Sequence, residues 1–172
     1  MYYFPDLDED TRLNMISELE LDIRNGSFYE PLSMSAYGLS CYKSVLKSCF
    51  ENGDADSLSR QLTKNFFKSC YESGRSVPFN INQMTAFSDF NRYYIRALLI
   101  RAVSEDRKLI VYRAKKVITE RESSKMAVYK VYFDKDIMLE MIMLFRDYKA
   151  LFSIKPQPDL LKPNSGLSLR FI

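Results

Sequence analysis

The sequence contains no histidine and no tryptophan, only three cysteines, and five glycines that never cluster. Without histidine there is no Ser-His-Asp or Cys-His nucleophile and no imidazole for acid–base work. The usual catalytic zinc sites are excluded as well. Cys41, Cys49 and Cys70 show no C-x-x-C spacing. An odd, scattered set of this kind points to reduced thiols that serve as small hydrophobes. Gly26, Gly38, Gly53, Gly74 and Gly166 stand alone, so no glycine-rich phosphate loop exists. Asp6, Asp8 and Asp10 alternate, but no glycine and no closing glutamate follow at calcium-loop spacing. Helix capping accounts for them better, and Asp134 and Asp136 read the same way. Ser40-Cys41 and Ser123-Ser124 have no base beside them in sequence. The expectation is a protein that is not an enzyme and holds no cofactor or metal.

Long apolar runs are also lacking. The best, Tyr93 to Val103, is interrupted by Arg96 and Arg101, and a membrane helix needs about 20 apolar residues. Met1 to Asp10 is aromatic and then acidic, unlike a signal peptide. No membrane partner is expected.

What is present is a globular composition, 47% hydrophobic and 27% charged over 172 residues. That length suits one domain with a real core. Twelve tyrosines and twelve phenylalanines stand out. Tyrosine suits contact surfaces and core margins alike, and composition leaves both open.

The pattern predicts an α+β fold that is mainly helical. It has antiparallel helices at the N-terminus, a small antiparallel sheet in the second half, and an extended C-terminal tail. Asp6 or Asp8 caps a first helix, with Ile16, Leu19 and Ile23 on its apolar face and Asn25-Gly26 as its stop. Tyr2, Tyr3 and Phe4 pack back on that helix or lie on a neighbour. Ser33 or Ser35 caps a second helix to about Asn52, with Tyr42, Val45, Leu46, Cys49 and Phe50 on one stripe. Asp54 or Asp56 caps a third, reaching about Tyr71. Phe79 and Ile81 suggest a short extended piece. Ser88-Asp89 caps a central helix from Phe90 to about Ser104. Leu109 to Ile118 and Val128 to Phe133 read as strands, with Glu120 to Ser124 as a loop or hairpin tip. Asp134 caps a last helix to about Lys149, with Ile137, Met141, Leu144 and Phe145 on one side. Residues 1–152 form one helix-rich domain, the only sub-boundary falling at 72–78, and 153–172 form an extended C-terminal arm. Pro156, Pro158 and Pro163 forbid a helix in that arm. Leu167 to Phe171 then alternates like a strand, to be received by this chain's own sheet or by a neighbour's sheet edge.

Charge is divided along the chain. Met1 to Glu30 carries eight acids against Arg12 and Arg24, whereas Arg92 to Arg121 carries nine basic residues against Glu105, Asp106 and Glu120. Three readings are open: pairing within the chain, head-to-tail pairing between copies in a ring, or contact of the basic segment with nucleic acid such as packaged DNA. Arg92 and Arg96, one turn apart, are either an anion clamp or structural ion pairs, with pairing favoured for buried arginine. Candidate partner-binding residues are Asp8 and Asp10 at the acidic end, Arg113, Lys115 and Lys116 in the basic segment, and Leu167, Leu169, Arg170, Phe171 and Ile172 in the tail.

Three stretches are distinctive. They are Phe90-Asn91-Arg92-Tyr93-Tyr94-Ile95-Arg96-Ala97-Leu98-Leu99-Ile100-Arg101-Ala102, Val111-Tyr112-Arg113-Ala114-Lys115, and Pro163-Asn164-Ser165-Gly166-Leu167-Ser168-Leu169-Arg170. Together they resemble a family of small virion proteins from tailed-phage genomes and prophages, most like the head–tail connector (adaptor or ring) proteins. The resemblance covers about half the chain, Phe90 to Ile172. It implies a homo-oligomeric ring at the portal vertex, terminal arms on the portal or on other connector or tail proteins, and a place in the virion after assembly in the host cytoplasm. Connector proteins are mostly helical, so the strands between Leu109 and Phe133 depart from the pattern. A nucleic-acid-binding accessory protein using residues 92–121 is the alternative function.

Overall fold

The first helix, α1 (Glu9–Arg24), begins where Asp8 turns its carboxylate back to the Thr11 amide, 2.9 Å away. Glu9 and Asp10 add negative charge to its first turn, and Gly26 leaves it at φ +66°. The computed structural model describes residues 2–115, 120–153, 160 and 165–172. Among these, seven α-helices and a three-stranded antiparallel sheet bear out the α+β, mainly helical fold class.

The second helix, α2 (Ala36–Asn52), is capped by Ser35, and α3 (Ala55–Gln61) by a reciprocal Asp54–Ser57 capping box. The third helix is far shorter than the sequence predicts. A 3-10 turn at Lys64–Phe66 follows it, and the chain then pairs with the segment before α2. Ser35 N donates to Phe66 O and Lys68 N to Ser33 O, both at 2.9 Å. This nonlocal pairing outcompetes helix continuation. It depends on Gly38, where any Cβ would sit 2.2 Å from the Phe66 carbonyl oxygen.

The central helix, α4 (Ile81–Glu105), spans 25 residues and is buried on most sides. It starts nine residues before Phe90, so Ile81 opens a helix and not an extended piece. Ser88-Asp89 is no cap: Asp89 lies inside the helix, 2% exposed, and accepts the Tyr42 hydroxyl. That buried partner replaces the backbone amides it would otherwise cap. Tyr2 and Phe4 pack on α4 rather than on α1, with ring centroids 5.0 Å from Phe87 and 4.7 Å from Tyr94.

The sheet runs β2-β1-β3, with β1 (Leu109–Arg113), β2 (Val131–Tyr132) and β3 (Leu167–Phe171) all antiparallel. The final strand pairs with β1 over five residues, from Leu109↔Phe171 to Arg113↔Leu167. Leu109, Val111, Leu167 and Leu169 are buried. The end of the expected arm is therefore the third strand of the chain's own sheet. It is tied down further by Asn91 Nδ2 donating to Leu167 O at 2.8 Å and Phe171 N donating to Asp6 at 2.9 Å. Pro156, Pro158, Pro163 and the Pro163-Asn164 turn lie outside the described residues, as do residues 116–119 of the longer strand expected up to Ile118.

A short helix, α5 (Glu122–Ala127), occupies part of the expected hairpin tip, and the second strand shrinks to two residues. Tyr129 takes φ +72°, which breaks the extended conformation just before β2. Asp134 caps α6 (Lys135–Arg146), and α7 (Tyr148–Ser153) follows after a break at Asp147. The buried face of α6 is Met138, Ile142 and Phe145, whereas Ile137 is 48% exposed. Apolar residues nearly surround this helix, so periodicity alone misplaces its face.

Candidate functional site

Two features of this fold stand out: a buried ionic network, which consumes charge, and an outer strand flanked by exposed apolar side chains. The network begins with α1 and α4 packing face to face. The buried stripe of α1 is Thr11, Met15, Glu18, Leu19 and Asp22. Ile23, expected inside, is 40% exposed, because two acids take the inward positions.

Arg96 meets those acids. Its side chain is fully enclosed; Nε lies 2.8 Å from Glu18 Oε2 and Nη1 2.6 Å from Asp22 Oδ2. The Tyr93 hydroxyl donates to Asp22 at 2.8 Å, and Arg146 of α6 reaches Glu18 Oε1 at 2.6 Å. Burial raises the pKa of the Glu18 carboxyl. Hydrogen bonds and charge from Arg146 and Arg96 more than reverse that, leaving it below the ordinary glutamate value. Nearer the α1 start, Arg101 Nη1 lies 2.6 Å from Asp8 Oδ1 and 2.7 Å from Thr11 Oγ1, while its Nε lies 2.6 Å from Glu105.

Arg92 is placed differently. It sits 3.8 Å from Asp89 and stacks between the rings of Tyr93 and Tyr148, at 4.9 and 4.4 Å from their centroids. Burial raises the Asp89 pKa, against the charge of Arg92 and the Tyr42 hydrogen bond. The structural reading of Arg92 and Arg96 thus prevails over an anion clamp: carboxylates of the same chain already face both.

The charge division is met largely inside one chain. Asp8, Glu18 and Asp22 from the acidic end pair with Arg96 and Arg101 from the basic segment. Glu20 and Glu30 pair with Lys47 and Lys43. Among the described residues from Arg92 to Arg121, five basic side chains hold ion pairs: Arg92, Arg96, Arg101, Arg107 and Arg113.

The candidate partner-binding residues fall in different places. Asp8 caps α1 and holds Arg101, while Asp10 is 74% exposed and 4.0 Å from Arg101. Arg113 lies 3.1 Å from Glu120 and donates to Ser165 O at 3.2 Å. Lys115 sits over the Phe87 ring at 4.6 Å, and Lys116 is outside the described residues. Leu167, Leu169 and Phe171 are buried in the sheet, whereas Arg170 and Ile172 are exposed. Of this set, among the described residues, Asp8, Asp10, Arg170 and Ile172 are exposed, although Asp8 is held by Arg101.

The surface that sequence reading missed lies between Met126 and Met143. Among the described residues, half of the fourteen exposed large apolar side chains fall here, including Met126, Tyr129, Phe133 and Met143 at 65% to 80% exposure. Through this stretch runs β2, an outer strand of the sheet. The available signal was the apolar character of α6 on nearly every side.

Among the described residues no group of three His, Cys, Asp or Glu is arranged to hold a metal, and no helix is long and apolar enough to cross a membrane. Cys49 is buried, which pushes its thiol pKa up, while Cys41 is half-buried and Cys70 exposed. Compared with protein-family models, curated proteins and solved structures, the chain matches none.

Proposed function

We propose that this protein is a structural subunit that self-assembles, in the manner of a phage head–tail connector (adaptor or ring) protein at the portal vertex of a virion. The observation that carries the reading is the edge strand β2, flanked by exposed Met126, Tyr129, Phe133 and Met143. An outer strand offers unpaired backbone groups on one side. Contiguous chain with this much exposed apolar surface marks an interaction site in a folded protein. The resemblance of Phe90 to Ile172 to tailed-phage virion proteins supplies the context, with the portal and other connector or tail proteins as partners.

The mode of contact differs from a purely electrostatic one. Most acids of α1 are engaged within the chain, so apolar contact at the β2–α6 surface is the main assembly force. The test is mass in solution by light scattering, alone and with the portal protein. A multiple of the chain mass is expected, reduced to one chain by Phe133→Ser with Met143→Ser at unchanged helicity. A chain that stays monomeric with its portal present overturns the reading.

A further inference from the structure

A cluster of positive charge lies away from the segment richest in basic residues. A groove of about 910 Å³ opens between the α3–Lys68 stretch and residues 77–82. Arg60, Lys64 and Lys68 line it, and no acidic residue does. All three are exposed, and none makes an ion pair among the described residues. This contrasts with Arg92 to Arg121, where five basic side chains are already neutralised.

The groove is a built feature. Val77 N donates to Ser69 O at 2.9 Å and joins the two walls. Asn82 Nδ2 donates to Ser59 O at 3.1 Å and holds the start of α4 against α3. Lys68 N donates to Ser33 O at 2.9 Å and Phe67 N to Lys64 O at 3.1 Å, which fixes the backbone there. On the wall opposite the cations stands Phe79, completely exposed. Pro78 before it restricts the backbone. A bare phenyl ring has nothing to gain from water, and its exposure in a groove whose three cations hold no ion pair among the described residues suits a planar, anionic partner.

We propose that this groove binds single-stranded nucleic acid, with Arg60, Lys64 and Lys68 on the phosphates and Phe79 stacked on a base. Unpaired strands present π-faces that a duplex hides, and aromatic stacking beside a positive groove is how such strands are held without sequence preference. An acidic polypeptide would satisfy the cations but gives Phe79 no flat surface to cover. The proposal is independent of ring assembly, since it uses none of β2, α5 or α6.

The test is fluorescence anisotropy of the full chain with a labelled oligothymidylate. Binding is expected with Kd between about 10⁻⁴ and 10⁻⁶ M. With three phosphate contacts, log affinity should fall against log salt with a slope of about −2. Phe79→Ala should weaken binding by about 5- to 100-fold, and Lys64→Glu with Lys68→Glu should abolish it, both at unchanged circular dichroism. Lys108→Glu, an exposed basic residue of the 92–121 segment, should leave it intact. No binding at low salt overturns the proposal. So does binding that survives the Lys64 and Lys68 reversals but is lost with Lys108→Glu. Polyglutamate that competes equally well, with Phe79→Ala silent, would assign the groove to an acidic protein and overturn it too.

Discussion

Arg96 on α4 and Glu18 on α1, 78 residues apart in the chain, form a buried pair with Nε 2.8 Å from Oε2. Removing one member of such a pair strands the other charge in the core, whereas removing both together does not. Arg96→Met should therefore cost about 3–5 kcal/mol, read as a lower midpoint in urea. Combining it with Glu18→Met and Asp22→Leu should recover a substantial part. Additive losses in the combined variant would show that the pairing contributes nothing of its own.

The same network sets the response to acid. Hydrogen bonds and charge from arginines leave the Glu18 and Asp8 carboxyls below their ordinary values despite burial. A carboxyl depressed in the folded state stabilises above its unfolded pKa, about 4 for these groups, and that contribution disappears as pH falls through the folded value. The contribution of these two carboxyls should be constant above about pH 5 and should be lost below about pH 4, read as a falling melting temperature in acid. Glu18→Gln should be less stable than the parent at neutral pH, with the gap closing in acid. A gap that stays constant across this range would dissociate Glu18 from the effect.

Asp89 has the opposite sign. Burial raises its pKa, so its charged form opposes folding as pH rises from the unfolded toward the folded value. The stability of Asp89→Asn relative to the parent should therefore improve on going from about pH 4 to neutral. Paired denaturation curves at the two pH values measure this, and a decline would reverse the assignment.

Leu169 lies fully buried opposite Val111 on β1. Leu169→Ala should cost about 2–5 kcal/mol, and deletion of residues 167–172 should prevent cooperative unfolding. If the tail served only a neighbouring copy, Leu169→Ala would lower assembly and leave the monomer's melting unchanged.

Gly38→Ala would place a methyl group 2.2 Å from the Phe66 backbone oxygen. A rigid carbonyl cannot step aside as a side-chain tip can, so the α2 start and the Ser33–Lys68 pairing must shift. A loss of about 1–3 kcal/mol is expected, despite alanine's better helix propensity. A more stable variant would show that the backbone contact is soft.

Local signals were legible where the physics is local. Asp8, Ser35, Asp54 and Asp134 cap helices as their side chains and following sequences predict. Asn25-Gly26 ends α1, and β1 begins at Leu109 as expected. Errors arose where a distant partner offered more than the local pattern. Asp89 reads as a cap until Tyr42 and Arg92 reach it. Residues after Gln61 read as helix until Phe66 pairs with the segment at Ser35. Of the candidate site, the divided charge was visible, but the surface around β2 and the groove with Phe79 were not. Exposure of an apolar side chain is a property of what fails to pack on it, and no spacing encodes that.

By itself the sequence determined the lack of histidine side chains in this chain, the mainly helical α+β class, and the excess of opposite charges at two places along it. Those follow from composition and from periods of two and about 3.6 residues, which act within a few positions. Only the tertiary structure decided where the charges meet: Arg96 and Arg101 are neutralised by Glu18, Asp22 and Asp8, while Arg60, Lys64 and Lys68 hold no ion pair among the described residues. It also decided that Leu167–Phe171 pairs with β1 of the chain's own sheet, with β2 at the opposite edge. Pairing between distant residues depends on geometry through space, since Coulomb attraction and strand hydrogen bonding follow distance and direction, not order in the chain.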